Sequence, residues 1–278
     1  MSGNTGLKLS GVTETLLITL YLRAMESQRP DALIKDEKAV KLVKQMSDDG
    51  LYDFSRIKLL HLNEANKLVI ILRNRQFDRV TLDFLKRYPA AFVVHIGCGL
   101  DTRFERVDNG QVEWYDLDLP DVIKLRRKLF GDEGARHHPL GCSVLDDAWL
   151  DAVSAHHQRP FLFVAEGVSM HLEEAQNKSL VRTLYEHFPG AELVFDAYSP
   201  LHNWVSNIQS ARFGFRTHWG IWSGKEIERW GDGIHLLDEW GYLDSPEQRS
   251  AHLRWLRPIE SLIRTLRIYH FQLGKAAG

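Results

Sequence analysis

The 278-residue sequence has only two cysteines, Cys98 and Cys142. Two cysteines in a chain of this length do not make the disulfide framework of a small secreted domain, so a reducing, cytoplasmic setting is expected. Long hydrophobic runs are missing too, since no apolar stretch reaches the ~20 residues that a membrane span needs. The opening MSGNTGLKLSG lacks the apolar core of a signal peptide. These absences predict a soluble cytoplasmic protein with no membrane partner.

An excess of charge of one sign is also missing. The chain has 35 Lys and Arg residues against 37 Asp and Glu residues, which gives a net charge of −2. Proteins that bind nucleic-acid phosphates usually carry a basic surface, so no nucleic-acid partner is expected. The chain has no internal repeat and no low-complexity linker, and its length suits one large α/β domain.

The spacing of apolar residues changes near residue 90. Before that point the spacing is helical, and a long helix is predicted from about Ser55 to Tyr88, ended by Pro89. After it, short apolar runs alternate with amphipathic stretches, which is typical of parallel βαβ units in a doubly wound sheet. Strands are predicted at Ala91–Ile96, Gln111–Leu117, His138–Cys142, Phe161–Ala165 and Glu192–Ala197, with helices at Pro120–Phe130, from about Asp147, and at Leu172–Phe188.

The predicted organisation is a single domain, residues 1–278, made of four segments. They are an N-terminal helical extension (1–90), an α/β core (91–199), a tryptophan-rich cap (200–258) and a terminal edge strand (259–278), for which an antiparallel direction is left open. Six of the eight tryptophans fall within the cap. Two interpretations of them stay open: an apolar wall or lid over a pocket, or extra packing of the cap onto the sheet.

The stretch VVHIGCGLDTRFER places Gly97 and Gly99 where the first predicted strand ends. Ligands of open α/β sheets bind beyond the carboxyl ends of the strands, and glycines let the backbone turn tightly and approach a ligand closely. A lone G-x-G pattern fits a plain strand-to-helix turn equally well. The glycines alone therefore leave the ligand open.

Carboxylates at the ends of two other strands make the pattern more specific. Asp118 lies ~20 residues beyond the glycines, the spacing of a carboxylate that binds ribose hydroxyls. Asp116 faces the same side of its strand, so spacing alone does not choose between the two. Glu166 follows five apolar residues in FLFVAEGVSM, where a charge is costly unless it meets a partner at the strand end.

Two nucleoside cofactors fit these positions. A dinucleotide site requires G-x-G-x-x-G, but the third glycine position holds Thr102. S-adenosyl-L-methionine has no phosphate and needs only the turn, the ribose carboxylate and anchors for its amino-acid end. It is the better match, and an NAD(P)-dependent oxidoreductase is the alternative.

Four stretches resemble the leucine carboxyl methyltransferase family, in particular its bacterial polyketide-synthesis O-methyltransferase branch. They are VVHIGCGLDTRFER, YDLDLPDVIKLRR, AEGVSMHL and ELVFDAYSP, and GVTETLLITLYLRAMES and RNRQFDRV add to the similarity. The resemblance extends from about residue 11 to 245. It implies a class I methyltransferase fold, with a mostly parallel seven-stranded sheet, that binds S-adenosyl-L-methionine.

The resemblance also implies roles for individual residues. Arg73 would hold the cofactor carboxylate, with Arg75 and Arg79 as competitors on the same helix, and Glu166 would receive the ammonium. Gly97 and Gly99 would contact the methionine portion, Asp118 the ribose, and Ser143 and Val144 the adenine. Ser143-Val144 stand where the family usually has Asp-Leu, and His171 where it often has tyrosine. These two departures keep open a non-catalytic protein that binds the same cofactor.

The expected acceptor is a small, partly apolar molecule with a carboxylate or a phenolic hydroxyl. A carboxylate arrives ionised, whereas a phenol needs a base close by. The candidate catalytic residues are His171 as base and Tyr198 as an orienting hydroxyl, with His202 and His218 as further bases and Arg212 and Arg216 as possible anchors of an acidic substrate.

Other reactive residue types are interpreted as structural. Cys98 lacks a His/Asn arrangement and is not expected to act as a nucleophile. Arg103 and Arg106 are expected to tie the glycine turn to neighbouring acids. The pairs His137-His138 and His156-His157 have no further ligands at metal spacing, so no metal is predicted. The oligomeric state is open.

Overall fold

The computed structural model describes residues 11–55, 57, 63–131, 134–154, 159–210, 216–245, 249, 255, 258–260 and 264–275. Three helices in this part precede the sheet: α1 (Gly11–Ser27), α2 (Glu37–Asp48) and α3 (Glu64–Arg87). The side chain of Asn63 accepts a hydrogen bond from the amide of Asn66, and this cap fixes the start of α3. The predicted long helix therefore begins later than Ser55. Part of the predicted stretch, residues 56 and 58–62, lies outside the described residues.

Seven strands form a single sheet in the order β3-β2-β1-β4-β5-β7-β6. Strands β1 to β5 are mutually parallel, and β7 runs antiparallel to both of its neighbours. The strands are β1 (Phe92–Ile96), β2 (Glu113–Asp118), β3 (His137–Gly141), β4 (Phe161–Ala165), β5 (Ala191–Tyr198), β6 (Ile234–Gly241) and β7 (Leu266–Leu273). The predicted doubly wound, mostly parallel sheet is confirmed.

Helices cover both faces of the sheet, which is why its central strands are mostly apolar. Two buried clusters lie on opposite faces, one around Phe163 and Phe195 and the other around Val93 and Trp114. The helices after β1 are α4 (Arg103–Val107), α5 (Pro120–Phe130), α6 (Ala148–Ser154), α7 (Glu174–His187), α8 (Pro200–Ser210) and α9 (Lys225–Glu228). Across the described ranges, none of the helices combines the length and the apolar character that crossing a membrane requires.

The position of the terminal strand, β7, differs from the predicted one. β7 is antiparallel, but it lies between β5 and β6 instead of at the edge of the sheet. The edge strand on this side of the sheet is β6, which belongs to the segment 200–258 that was predicted as the cap. A β-bulge between Leu236 and Asp238 breaks the two-residue alternation of β6 and hides the strand in the sequence. The rest of the four-segment division stays a prediction.

The six tryptophans of the segment 200–258 do not form one wall. Trp219 is buried and its ring centroid lies 5.8 Å from that of Trp230, while Trp240 packs against the core on the other face of the sheet. The remaining three are exposed to solvent: Trp204, Trp222 and Trp255. The packing interpretation holds for the first three, and the lid interpretation stays open for the exposed ones.

Candidate functional site

The predicted site residues follow adjacent strands in the order of the sheet. Ser143 follows β3, Asp118 ends β2, Gly97 follows β1, Glu166 follows β4 and Tyr198 ends β5. Because these five strands are parallel neighbours, their carboxyl ends meet along one edge. Residues that are far apart in the sequence are thereby brought to a single rim.

The glycine turn requires glycine at both positions. Gly97 and Gly99 have φ angles of +64° and +51°, a conformation that side chains disfavour. A Cβ atom on Gly97 would lie 2.4 Å from Cγ2 of Val168, and one on Gly99 would lie 2.6 Å from Cδ2 of Leu16. The turn therefore leaves no room for side chains, and α1 packs directly on it.

The structure gives Asp118 and Asp116 different positions and contacts. Oδ2 of Asp118 accepts a hydrogen bond from the Gly99 amide at 2.8 Å, and Oδ1 accepts one from the Leu119 amide at 2.7 Å. Partial burial raises the pKa of this carboxyl, and the two amides oppose that shift. An ionised carboxylate has about four acceptor positions, so about two remain for further hydroxyl groups.

Asp116 has a supporting position beneath the turn. Its carboxylate is 2.6 Å from both His137 and Arg126 and is fully buried. Burial alone would raise the pKa of Asp116, but the Arg126 guanidinium and His137 hold it well below its usual range. Arg126 also donates to the carbonyl oxygens of Asp101 at 2.6 Å and Gly99 at 3.3 Å. This pair shapes the turn from below, whereas Asp118 lies at the rim.

Arg73 and Glu166 meet at the centre of the rim. Nε of Arg73 donates to Glu166 Oε1 at 2.8 Å, and Nη1 of Arg73 donates to Asp196 Oδ2 at 3.2 Å. Glu166 also accepts from Asn74 Nδ2 at 3.0 Å and from Arg103 Nη2 at 2.6 Å. The rim thus carries one guanidinium between two carboxylates.

The three candidate arginines of α3 are no longer equivalent. Arg73 is mostly buried at the rim, whereas Arg75 and Arg79 are exposed, and Arg79 faces Asp83 of its own helix at 3.8 Å.

Asp196 is a rim residue that was not predicted from the sequence. It lies within the apolar strand ELVFDAY, and burial raises its pKa to about 6 against the opposing charge of Arg73.

Arg103 and Arg106 tie the turn to acids, as predicted. Arg103 is fully buried and lies 2.7 Å from Asp78 and 3.1 Å from Asp101. Arg106 lies 2.7 Å from Asp78 and 2.9 Å from Asp36. Asp36 and Asp78 were not predictable from the sequence, because single acids next to or within amphipathic helices are usually solvated.

Ser143 and Val144 lie in the loop after β3. Gly141, at the end of β3, pairs with Asp118, so the loop is adjacent to the ribose candidate. The hydroxyl of Ser143 accepts from the Leu145 amide at 3.1 Å, and the carbonyl oxygen of Val144 accepts from Trp149 Nε1 at 3.1 Å. The loop is held in place by its own backbone and by α6.

Residues 216–221, here called the strap, cross the rim beside β5. The strap is anchored by hydrogen bonds from the His218 amide to Met170 O (2.7 Å) and from the Ile221 amide to Tyr198 O (2.9 Å). Its third anchor joins the Thr217 amide to Asn207 Oδ1 at 2.8 Å. The strap is therefore fixed at the part of the rim that β4 and β5 form.

The candidate catalytic residues lie beside the strap, except His218, which belongs to it. Nδ1 of His171 is 3.2 Å from the carbonyl oxygen of Arg216, and desolvation lowers the pKa of the imidazole. Burial raises the pKa of the Tyr198 hydroxyl, and the Tyr198 ring centroid lies 4.6 Å from that of His202. Nδ1 of His218 lies 3.0 Å from Oε1 of Glu173. Arg212 lies outside the described residues.

The remaining reactive residues have structural surroundings. Cys98 is buried within the turn. His137 contacts Asp116, His138 contacts Glu113, and His156-His157 lie outside the described residues. In the described part of the chain, no group of three or more His, Cys, Asp or Glu side chains is arranged to hold a metal ion.

Comparison with known sequences gives matches along most of the chain. The profile of the family described as Leucine carboxyl methyltransferase matches residues 16–185. The tetracenomycin polyketide synthesis O-methyltransferase TcmP of Streptomyces glaucescens is 34% identical over 264 residues, which cover 92% of this chain and 91% of that protein. The S-adenosyl-L-methionine-dependent methyltransferase dpfgK of Gibberella zeae is 31% identical, with 84% and 85% covered.

Solved structures share the fold at low sequence identity. A protein from Streptomyces avermitilis superposes with a TM-score of 0.58 at 15% identity, covering 93% of this chain and 96% of that one. A protein from Thermobifida fusca gives a TM-score of 0.56 at 18% identity, with 92% and 94% covered. The architecture is that of the class I methyltransferases.

Proposed function

The chain belongs to the leucine carboxyl methyltransferase family, and we propose that it methylates an oxygen atom, of a carboxylate or a phenolic hydroxyl, on a small, partly apolar acceptor. It is an S-adenosyl-L-methionine-dependent methyltransferase with the class I fold. Family membership decides against the two alternatives, an NAD(P)-dependent oxidoreductase and a non-catalytic cofactor-binding protein.

The observation that carries the proposal is the distribution of free acceptor positions and charges along the rim. Asp118 keeps acceptor positions for the ribose hydroxyls beside its two amide contacts. At the centre of the rim, Arg73 supplies a cation for the carboxylate of the cofactor, and Glu166 supplies an anion for its ammonium. The residues present therefore fit S-adenosyl-L-methionine without a phosphate site.

When bound, S-adenosyl-L-methionine would supply an activated methyl group on a positively charged sulfur, with a neutral thioether as leaving group that keeps the electron pair of the carbon–sulfur bond. The chain has to align the acceptor oxygen and exclude water. We assign both tasks to the strap, because its Arg216 carbonyl contacts His171 and its Ile221 amide is bonded to the backbone of Tyr198.

The pKa shifts of His171 and Tyr198 suit the two side chains to different roles at neutral pH. The lowered pKa of His171 keeps its imidazole neutral, the form that accepts a proton from a phenol. The raised pKa of Tyr198 keeps its hydroxyl protonated, so it donates a hydrogen bond to an acceptor oxygen. A carboxylate acceptor would use only the orienting group, because it arrives without a proton to lose.

A transfer assay with tritium in the methyl group of S-adenosyl-L-methionine tests the function. The purified enzyme is incubated with a panel of aromatic and fatty acids and phenols, and labelled products are identified by mass spectrometry. We expect label on an acid or a phenol, and about a tenfold or greater loss with Asp118→Asn at limiting cofactor. Binding of S-adenosyl-L-homocysteine with label on no acid or phenol in the panel would contradict the proposed activity.

A further inference from the structure

Ion pairs join the charged side chains behind the rim into one buried cluster, called the charge cluster below. Its carboxylates are Asp36, Asp78, Asp101, Glu166 and Asp196, and its guanidiniums are those of Arg23, Arg73, Arg103 and Arg106. None of these side chains is more than 14% exposed. Five negative charges face four positive charges, so the cluster carries one negative charge in excess.

The neighbouring ionisable groups contact the Asp101 end of the charge cluster. The ring of His95 lies 3.8 Å from Asp101 and 3.5 Å from Asp116. Asp116 is itself paired with Arg126 at 2.6 Å, which adds one charge of each sign. These contacts leave the pairing of Asp196 with Arg73 unchanged.

The excess lies at the Asp196 end of the charge cluster. Asp196 contacts a single guanidinium of the cluster, that of Arg73, and shares it with Glu166. Glu166 has a second cation in Arg103, and Asp36, Asp78 and Asp101 each contact at least two guanidiniums. The Asp196 side chain is fully buried, and its other oxygen accepts from the Gly167 amide at 2.7 Å. A buried carboxylate that shares its cation with a second carboxylate is stabilised by further positive charge nearby.

We propose that Asp196 is a specificity-determining residue that supplies the negative charge by which the enzyme prefers its cationic cofactor to the neutral product. This inference rests on the proposed function. S-adenosyl-L-methionine carries a sulfonium, an ammonium and a carboxylate, a net charge of +1, whereas S-adenosyl-L-homocysteine lacks the sulfonium charge and is neutral. The charge cluster, with its single excess negative charge, matches the first ligand and not the second.

The charge of Asp196 acts without direct contact with the ligand. The carboxylate is held by Arg73 and Gly167, and the surrounding side chains are buried, so salt screens its field only weakly. Methyl transfer removes the positive charge on sulfur and with it the attraction to Asp196. The product is then held less tightly, which favours its release.

Asp196→Asn keeps the shape of the side chain and removes its charge. The two probes are unreactive: sinefungin, which has an amine in place of the methylated sulfur and is cationic there, and S-adenosyl-L-homocysteine. In calorimetric titrations at pH 8, we expect the substitution to weaken sinefungin binding about tenfold and to change S-adenosyl-L-homocysteine binding less than about twofold. Equal weakening of both ligands would indicate a merely structural role and overturn the proposal.

Glu192→Gln is the matched control. Glu192 is a buried carboxylate on the same strand, but at its other end, where Arg87 and His270 contact it at 2.6 Å and 2.8 Å. Its removal should leave the ratio of the two dissociation constants unchanged. Failure of the wild type to bind either ligand would instead contradict the proposed function, so the two failures are distinguishable.

The wild-type protein provides a second test that needs no substitution. The groups facing Asp196 are Arg73 from α3, Glu166 after β4 and Tyr198 on β5, while its partner on β7 is the apolar Ile268. Since the pKa of Asp196 is raised to about 6, its charge is present above that pH and lost below it. The preference for sinefungin over S-adenosyl-L-homocysteine should therefore decline between pH 7.5 and 5 (~tenfold). A constant preference across this range would overturn the proposal.

Discussion

The amide nitrogen of Gly99 lies 2.8 Å from Oδ2 of Asp118, so the glycine turn and the end of β2 are joined by a direct hydrogen bond. The ~20 residues between them form the α4–β2 unit, and the contact closes that unit at the rim. The same carboxylate that is proposed to bind ribose therefore also holds the turn. Its substitution should affect both.

Asp118→Asn is expected to weaken S-adenosyl-L-homocysteine binding by about tenfold or more. The amide removes the charge and turns one of two acceptor oxygens into a donor that faces a backbone N–H, and hydrogen bonds to charged groups contribute about 1.5–3 kcal/mol. Titration calorimetry measures the change. Asp121→Asn, on the exposed first turn of α5, removes the same charge nearby and should bind normally. Equal affinity in both variants would remove Asp118 from the cofactor site.

Gly97→Ala is expected to destabilise the fold by about 2–3 kcal/mol. The left-handed backbone conformation costs a side chain about 1–2 kcal/mol, and the new Cβ would overlap Val168. Urea denaturation of Gly97→Ala in wild-type and Val168→Ala backgrounds separates the two causes, since only the overlap is relieved in the second background. An identical cost in both backgrounds would show that Val168 is not the obstacle. Cys98→Ala, between the two glycines, should retain methyl transfer.

The strand ends of the site were predictable from the sequence because of how a buried parallel strand is built. Such a strand is a short apolar run, and a polar residue directly after it lies at the carboxyl edge, as Glu166 does after FLFVA. Asp196 escaped this rule because it lies within β5, two residues before the strand ends at Tyr198. Its role depends on Arg73, a contact between residues 123 positions apart.

Helix orientation and strand order were not predictable in the same way. The three candidate arginines on α3 have identical side chains. Only the docking of the helix against β4 and β5 places Arg73 at the rim and leaves Arg79 in solvent. The order of the last two strands likewise depends on pairing between distant segments. The pairing of β6 with β7 includes a bulge that no local pattern announces.

Arg103→Met should destabilise the protein by about 3–5 kcal/mol at neutral pH. The guanidinium is fully buried against Asp78, Asp101 and Glu166, and its removal leaves these carboxylates undercompensated. Chemical denaturation followed by circular dichroism gives the free energy of unfolding. Arg79→Met is the control, because its pairing with Asp83 at 3.8 Å is exposed and should contribute less than about 0.5 kcal/mol. Comparable losses in both variants would contradict a structural role for the charge cluster.

The pH dependence of turnover distinguishes a phenolic from a carboxylic acceptor through His171. Its pKa is lowered by desolvation, so the proton-accepting form is absent below that pKa and complete above it. With a phenol, kcat/KM should rise with pH and pass the midpoint of this rise below pH 6.5, and His171→Asn should remove the rise and lower the rate 10²–10⁴-fold. With a carboxylate, the same substitution should leave both nearly unchanged. His187→Asn is the control, since that imidazole also contacts a backbone carbonyl, Thr183 O at 3.0 Å, but at the end of α7. A phenol whose profile is identical in wild type and His171→Asn would exclude His171 as the base.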